Sequence, residues 1–188
     1  MNNNTKDHPQ KRKKGDETKN RILDIAADLF AHKGYDSVTI HEIADAVGIR
    51  ESSIYNHFQN KESILDTLFL LFSQKAQESR PSEEELDQML LIMQPEEIFK
   101  NILFYFGNHT NKTVEHAAMV INVEKFRNPR AAEIYFQNVV HEPSEYYERL
   151  LRKMIGNGMI KPVDAKLFAE QYNYVSISLT KEYFMAKN

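Results

Sequence analysis

The chain has 188 residues, of which 41% are hydrophobic and 27% charged, with a formal net charge of -3 and no cysteine. That much apolar residue supplies a core and excludes wholesale disorder. The net charge excludes a polycation, so any surface for nucleic acid has to be locally positive. The missing cysteines exclude disulfides, thiolate zinc sites and cysteine nucleophiles.

Residues 1–15 are polar and carry the basic run Lys11, Arg12, Lys13 and Lys14. They predict a disordered basic arm, either merely solvated or touching phosphate, and no signal peptide. No apolar run approaches the roughly 20 residues needed to cross a bilayer, so the expectation is a cytoplasmic protein without membrane contact. Apolar residues then recur at three- and four-residue spacing, which predicts an all-α chain.

The first helix is predicted from Asp16, with Ile22, Ile25, Ala26, Leu29 and Phe30 on one face and Gly34 ending it. The second starts at Thr39, where Thr39 and Glu42 are spaced as a capping box and Val38 and Ile43 as a hydrophobic staple. Gly48 marks a turn, and a third helix follows over about 51–58. Asn60 caps a fourth that reaches about Ser79. Ser82 with Glu85, Pro95, Thr113 and Asn128-Pro129 mark further starts. Pro143 starts or kinks the next helix, which ends at Gly156 to Gly158, and the last covers about 164–184.

The segment Ile40 to Gln59, IHEIADAVGIRESSIYNHFQ, has the form of a helix-turn-helix. Ile43, Val47, Ile49 and Ile54 occupy the facing apolar positions, Ala44 the point of closest approach and Gly48 the turn. Arg21 to Leu68, with ILDIAADLFAHKGYDSVTIHEIADAVGI followed by SSIYNHFQNKESIL, resembles the DNA-binding domain of the TetR/AcrR family of transcriptional regulators. The resemblance implies a three-helix N-terminal domain (16–62) and a larger helical effector-binding and dimerisation domain (63–188). It also implies a homodimer on a pseudo-palindromic double-stranded DNA operator.

The third helix would then enter the major groove, where each base pair is distinguishable. Asn56 is suited to adenine and Glu51 to cytosine N4; Ser52 and Ser53 suit phosphate or base edges; Tyr55 suits phosphate and a thymine methyl; Arg50 suits phosphate or guanine. Thr39 and Lys61 resemble the family's phosphate clamps, and His57 completes the set. Second readings exist: His57 packs against the first helix, Tyr55 is partly core, and Glu51 is a solvated charge. The family often has a Ser or Thr cap followed by Lys at the start of this helix; Arg50-Glu51 stand there instead, which shifts phosphate contact to Arg50 or to the basic arm.

For the C-terminal part, the resemblance implies an effector pocket among the middle helices. Candidate lining residues are Phe99, Leu103, Phe106, Met119, Phe126, Tyr135 and Met154, which favour a hydrophobic small molecule; plain core is the alternative for each. His109, His116 and His141 show no metal-ligand spacing and read as solvated, so neither metal nor cofactor is expected. Two seams fit a dimer interface: Tyr147, Leu150, Leu151 and Met154, or Phe168, Tyr172, Val175 and Leu179. The resulting expectation is a repressor released from its operator by a small-molecule effector. The competing reading is an effector-independent DNA-binding dimer that recruits a protein partner. No phosphate loop, nucleophile elbow or HExxH supports an enzyme.

Overall fold

In a computed structural model, the backbone is described for residues 9–187 and the side chains for residues 15–105, 110–182 and 185–186. Among the described residues there are helices and no strand. They run α1 (Pro9–Lys33), α2 (Ile40–Val47), α3 (Glu51–Tyr55), α4 (Lys61–Glu78), α5 (Glu83–Ile92), α6 (Pro95–His109), α7 (Lys112–Glu124), α8 (Pro129–Tyr135), a π-helical segment (Phe136–His141), α9 (Glu142–Gly156) and α10 (Ala165–Lys187). The chain divides into two compact units. One contains the residues up to Phe72 together with Asn111–Val120; the other contains Ser73–Thr110 and the residues from Ile121 onward. Helices α4 and α7 therefore each pass from one unit into the other, and the first boundary falls inside α4, beyond residue 62.

The first unit is built on α1, α2 and α3. Helix α1 starts at Pro9 rather than Asp16, so residues 9–15 of the expected disordered arm are helical. Proline suits a first helical position, and the Gln, Lys and Arg that follow are good helix formers. Residues 1–8 lie outside the described residues. Ile22, Ala26 and Phe30 of α1, Ile43 and Ala44 of α2, Ile54 of α3 and Ile64 and Leu68 of α4 form the core, joined by Val114 and Ala117 of α7. The Arg21 guanidinium donates to the carbonyl of Val47 at 2.7 Å and ties α1 to the end of α2.

The α2–α3 connection follows from one glycine. Gly48 has φ 76°, and its N–H donates to the Ala44 carbonyl at 2.9 Å while the Ile49 N–H reaches the same carbonyl at 3.0 Å. The 6→1 bond and the left-handed residue are those of a Schellman ending, and a side chain at that φ costs roughly 1–2 kcal/mol. At the other end of α2, the Glu42 N–H donates to Thr39 Oγ1 at 3.2 Å. Only this half of the expected capping box forms, because the Glu42 carboxylate pairs with Lys33 instead. Val38 and Ile43, the expected staple, are both fully buried. The Lys33 ammonium holds the Glu42 carboxyl below its ordinary range.

The second unit buries Leu86, Leu90, Ile98, Ile102, Tyr146, Tyr147, Leu150, Leu151 and Met154. Both halves of the Ser82–Glu85 box are present: Glu85 N–H donates to Ser82 Oγ at 3.2 Å and Ser82 N–H donates to Glu85 Oε2 at 2.8 Å. Pro143 sits inside a continuous helical path from α8 to α9 rather than starting a separate helix. Proline has no N–H for the carbonyl four residues back, Val139. The Asn173 side chain on α10 supplies donors there, reaching Val139 O at 3.1 Å and Val140 O at 3.0 Å. The turn before the proline widens into the π-helical segment, and α9 packs along α10.

Candidate nucleic-acid interface

Helix α3 is short because its last turn tightens. His57 N–H and Phe58 N–H both donate to the Ile54 carbonyl at 2.9 Å, so the helix ends at Tyr55 and residues 56–58 continue as a turn. Ile54 points into the core and is fully buried, while Glu51, Ser52, Tyr55 and Asn56 are exposed and Ser53 and His57 are half-buried. One apolar anchor thus leaves a polar face of a hydroxyl, a carboxylate, a phenol and an amide. Half of the Tyr55 surface is exposed, and its hydroxyl lies 3.5 Å from Glu51 Oε1.

The cations around this face are mostly occupied. Carboxylates outnumber Lys and Arg between residues 16 and 72. Lys19 stands over the Phe58 ring, Arg21 holds the end of α2 and Lys33 pairs with Glu42. Lys61 donates to the carbonyls of Tyr35 and Val38, each at 2.8 Å, and lies over the Tyr35 ring. The expected phosphate clamp therefore has two of its three donors spent on backbone, where it tethers the start of α4 to the α1–α2 loop. Among the described residues, the exposed Arg50 guanidinium makes no hydrogen bond, ion pair or ring contact. Lys11 to Lys14 lie on α1, but their side chains are outside the described set.

His41, absent from the expected contact set, also lies on this face. Its Nε2 is 3.3 Å from Asp45 Oδ2 and its Nδ1 is 3.6 Å from Glu51 Oε2. The available signal was its i,i+4 spacing to Asp45, but the bridge to Glu51 depends on the α2–α3 turn and is not visible along the chain.

The expected effector residues differ in their surroundings, and two of them, Phe99 and Met154, belong to one apolar cluster. Phe126 is 85% exposed and cannot line a closed cavity; it flanks the end of α7, under Lys125. Met154 is fully buried in close-packed core, where helical spacing alone could not distinguish it from a pocket wall. Met119 belongs to the first unit. The side chain of Phe106 is outside the described residues. Phe99 packs against Tyr172, with ring centroids 4.7 Å apart and ring planes inclined at 53°, and its carbonyl accepts from the Tyr172 hydroxyl at 3.0 Å. Leu103 and Tyr135 are half-buried, and Lys125 stands over the Tyr135 ring at 3.8 Å. Burial pushes Tyr146 up to about 12 and Tyr147 higher still, so both are neutral phenols.

Sequence reasoning missed the polar part of this unit. A guanidinium nitrogen of Arg80 lies 3.4 Å from both Glu142 Oε2 and the Asn138 carbonyl. Close along the chain, Ser79 Oγ and Asn138 Oδ1 are buried without a hydrogen-bond partner.

Of the two expected dimer seams, Tyr147, Leu150, Leu151 and Met154 are internal core. Phe168, Val175 and Leu179 on α10 are about half exposed, with Tyr172 half-buried beside them. His116 is buried at 4%, contrary to the solvated histidine expected. His141 is exposed, and the His109 side chain lies outside the described residues. Among the described residues, no helix is long and apolar enough to cross a membrane.

Residues 22–68 match the family model for the bacterial regulatory proteins, tetR family. The chain is 27% identical over 139 residues to the HTH-type transcriptional regulator YvkB of Bacillus subtilis (strain 168), covering 73% of this chain and 64% of YvkB. It is 51% identical over 47 residues to the HTH-type transcriptional repressor KstR2 of Rhodococcus jostii (strain RHA1), covering 25% of this chain and 23% of KstR2. In both cases the chain spans less than two thirds of the relative's length. The structure of AibR in complex with isovaleryl coenzyme A and operator DNA superposes with a TM-score of 0.59 at 21% identity, covering 82% of this chain and 81% of AibR. These matches are to transcription regulators, not to enzymes.

Proposed function

We propose that this chain, whose residues 22–68 match the model of the bacterial regulatory proteins, tetR family, is a sequence-specific DNA-binding regulator of that family. The reading rests on one observation above all. A five-residue helix, set by a left-handed glycine and anchored by a buried isoleucine, presents Glu51, Ser52, Tyr55 and Asn56 to solvent. In this reading α3 enters the major groove. Asn56 reads a base edge, Tyr55 reaches phosphate and a thymine methyl, and Ser52, Ser53, His57 and Thr39 add hydrogen bonds. Arg50 is the main phosphate contact, because its guanidinium is unengaged among the described residues. Lys61 contributes at most the one donor its carbonyls leave free. Glu51 is held by His41 and Tyr55, which favours orientation of the face over direct contact.

The chain acts as a homodimer on a pseudo-palindromic operator, joined through the apolar stripe Phe168, Val175 and Leu179 of α10. A two-fold dimer suits two half-sites about one helical turn apart. It acts as a repressor that a small molecule releases. The AibR complex, solved with both isovaleryl coenzyme A and operator DNA, supports a fold able to join the two kinds of ligand.

A second reading, an effector-independent dimer that recruits a partner, draws support from the exposure of Phe126 and the burial of Met154 in core. The experiment is selection of bound fragments from sheared genomic DNA by the purified protein at about 0.15 M salt. The proposal expects an inverted repeat with half-sites about one turn apart. Recovery without a motif, by binding that vanishes as salt rises, would overturn it. A screen for small molecules that weaken binding to the selected operator then separates the two readings.

A further inference from the structure

The first unit holds a cluster that DNA binding does not use. Asp28 and His32 stand one turn apart on α1, and His116 on α7 closes against them; one ligand atom from each lies within 4.8 Å of the others. Asp28 Oδ1 is 3.6 Å from His116 Nδ1 and 3.6 Å from His32 Nδ1, and the two imidazole rings meet edge to face at 5.2 Å. We propose that Asp28, His32 and His116 bind a divalent transition metal of the zinc class.

The spacing fits. Ligands about 2.0–2.1 Å from a tetrahedral zinc lie about 3.3 Å from one another, close to the 3.6 Å between Asp28 Oδ1 and His116 Nδ1, while His32, whose Nδ1 is the nitrogen near Asp28, would reach the metal through Nε2 after its ring turns. The orientation fits as well. His32 Nδ1 is 2.8 Å from the backbone carbonyl of Asp28, which can only accept. That nitrogen therefore carries the proton and Nε2 keeps its lone pair, the arrangement in which a carbonyl orients a metal-binding histidine. The His116 side chain is 6% exposed and, among the described residues, makes no hydrogen bond. A buried imidazole without a hydrogen bond is uncommon, and a cation would supply the partner.

The surroundings favour a dication. Asp24, whose carboxylate accepts from the Thr113 hydroxyl, stands one turn before Asp28, and Glu115 adds negative potential at His116. The opposing cation, Lys112, is 3.9 Å from Asp28 Oδ1 but 79% exposed, so it can swing into solvent. Two imidazoles and one carboxylate suit Zn²⁺, Co²⁺ or Ni²⁺. Mg²⁺ and Ca²⁺ prefer all-oxygen shells, and Cu(I) prefers sulfur. Asp28 and His32 are nearly half exposed, which leaves room for water as a further ligand. The bound metal would fasten the beginning of α7 to the last turns of α1.

The test uses the tag-free full chain, stripped with a chelator and titrated with Zn²⁺ against a chromophoric competitor, with Co²⁺ absorption as a second probe. One equivalent per chain is expected, with cobalt bands of tetrahedral intensity and a zinc-dependent rise in melting temperature. His32→Ala and Asp28→Asn change half-exposed groups, and both should keep the metal-free melting temperature. Loss of one of three ligands should weaken zinc by at least the roughly 100-fold that loss of an outer-shell partner can cost. Stoichiometric binding unchanged in both variants would place the metal elsewhere and overturn the proposal. So would the absence of saturable binding at millimolar zinc.

Discussion

The two units differ in where their information lies. In the first, the turn and the anchor that aim α3 fall within twenty consecutive residues, Ile40 to Gln59, where a single left-handed glycine and a single buried isoleucine settle which side chains face out. In the second, the corresponding constraints are spread over α5, α6, α9 and α10, and its aromatic residues pack mainly on one another. A surface that reads a repeating polymer can be built from one local motif. A cavity shaped to a small molecule needs walls from remote segments, so its lining resembles any other core.

The sharpest test of this difference pairs Ile54→Ala with Met154→Ala. Each removes a fully buried side chain and should cost about 2–5 kcal/mol in thermal or denaturant unfolding. Ile54→Ala should also abolish operator binding, whereas Met154→Ala, where still folded, should keep it. Equal loss of DNA affinity in both would show that the units do not divide the work in this way.

Next in size is Asn173→Ala, which takes the amide away from the Val139 carbonyl and leaves the Val140 carbonyl to the Ser144 hydroxyl, which donates to it at 2.6 Å. An unsatisfied buried carbonyl costs about 1–3 kcal/mol, so the melting temperature should drop while DNA binding at lower temperature is retained. Lys61→Met likewise removes the ammonium from two carbonyls in the first unit, Val38 and Tyr35, the latter keeping the Val38 N–H at 3.3 Å. A stability loss of about 1–3 kcal/mol is expected, with the salt dependence of DNA binding changed by less than one ion. Arg50→Ala inverts that pattern. It should leave the melting temperature alone, weaken all DNA sequences alike and reduce the salt slope by about one. A full one-ion change in Lys61→Met with no change in Arg50→Ala would exchange the two roles.

Much of the first unit could be read from spacing. The Thr39 cap, the Gly48 turn, the Ala44 approach and the buried Ile43, Val47 and Ile54 all follow from rules acting over a few residues, as does the Ser82–Glu85 box in the second unit. What could not be read depends on contacts across the sequence. The Lys61 grip on Tyr35 and Val38 spans more than twenty residues. The Glu42 carboxylate was drawn from its cap by Lys33, a competition with no signature in the T-x-x-E pattern. Asp28 and His32 have a suggestive i,i+4 spacing, but only folding delivers His116 to them. The polar face of α3 was legible as a face, while which of its groups touch bases depends on the DNA. Phe126 and Met154 illustrate the remaining limit: both recur at helical spacing, yet one ends in solvent and the other in the middle of the core.

The joint between α8 and α9 gives the second unit an unusual dependency. A rung that an uninterrupted helix would make for itself is supplied by an amide on another helix, so the π-helical segment can be no more stable than its hold on α10. Fraying that carries Asn173 away would release Val139 and leave Val140 to Ser144 in the same event. In amide hydrogen exchange, positions 139–147 and the middle of α10 should therefore open as one cooperative block with a shared protection level. The ends of α8 and α10, which carry no such obligation, should exchange ahead of it.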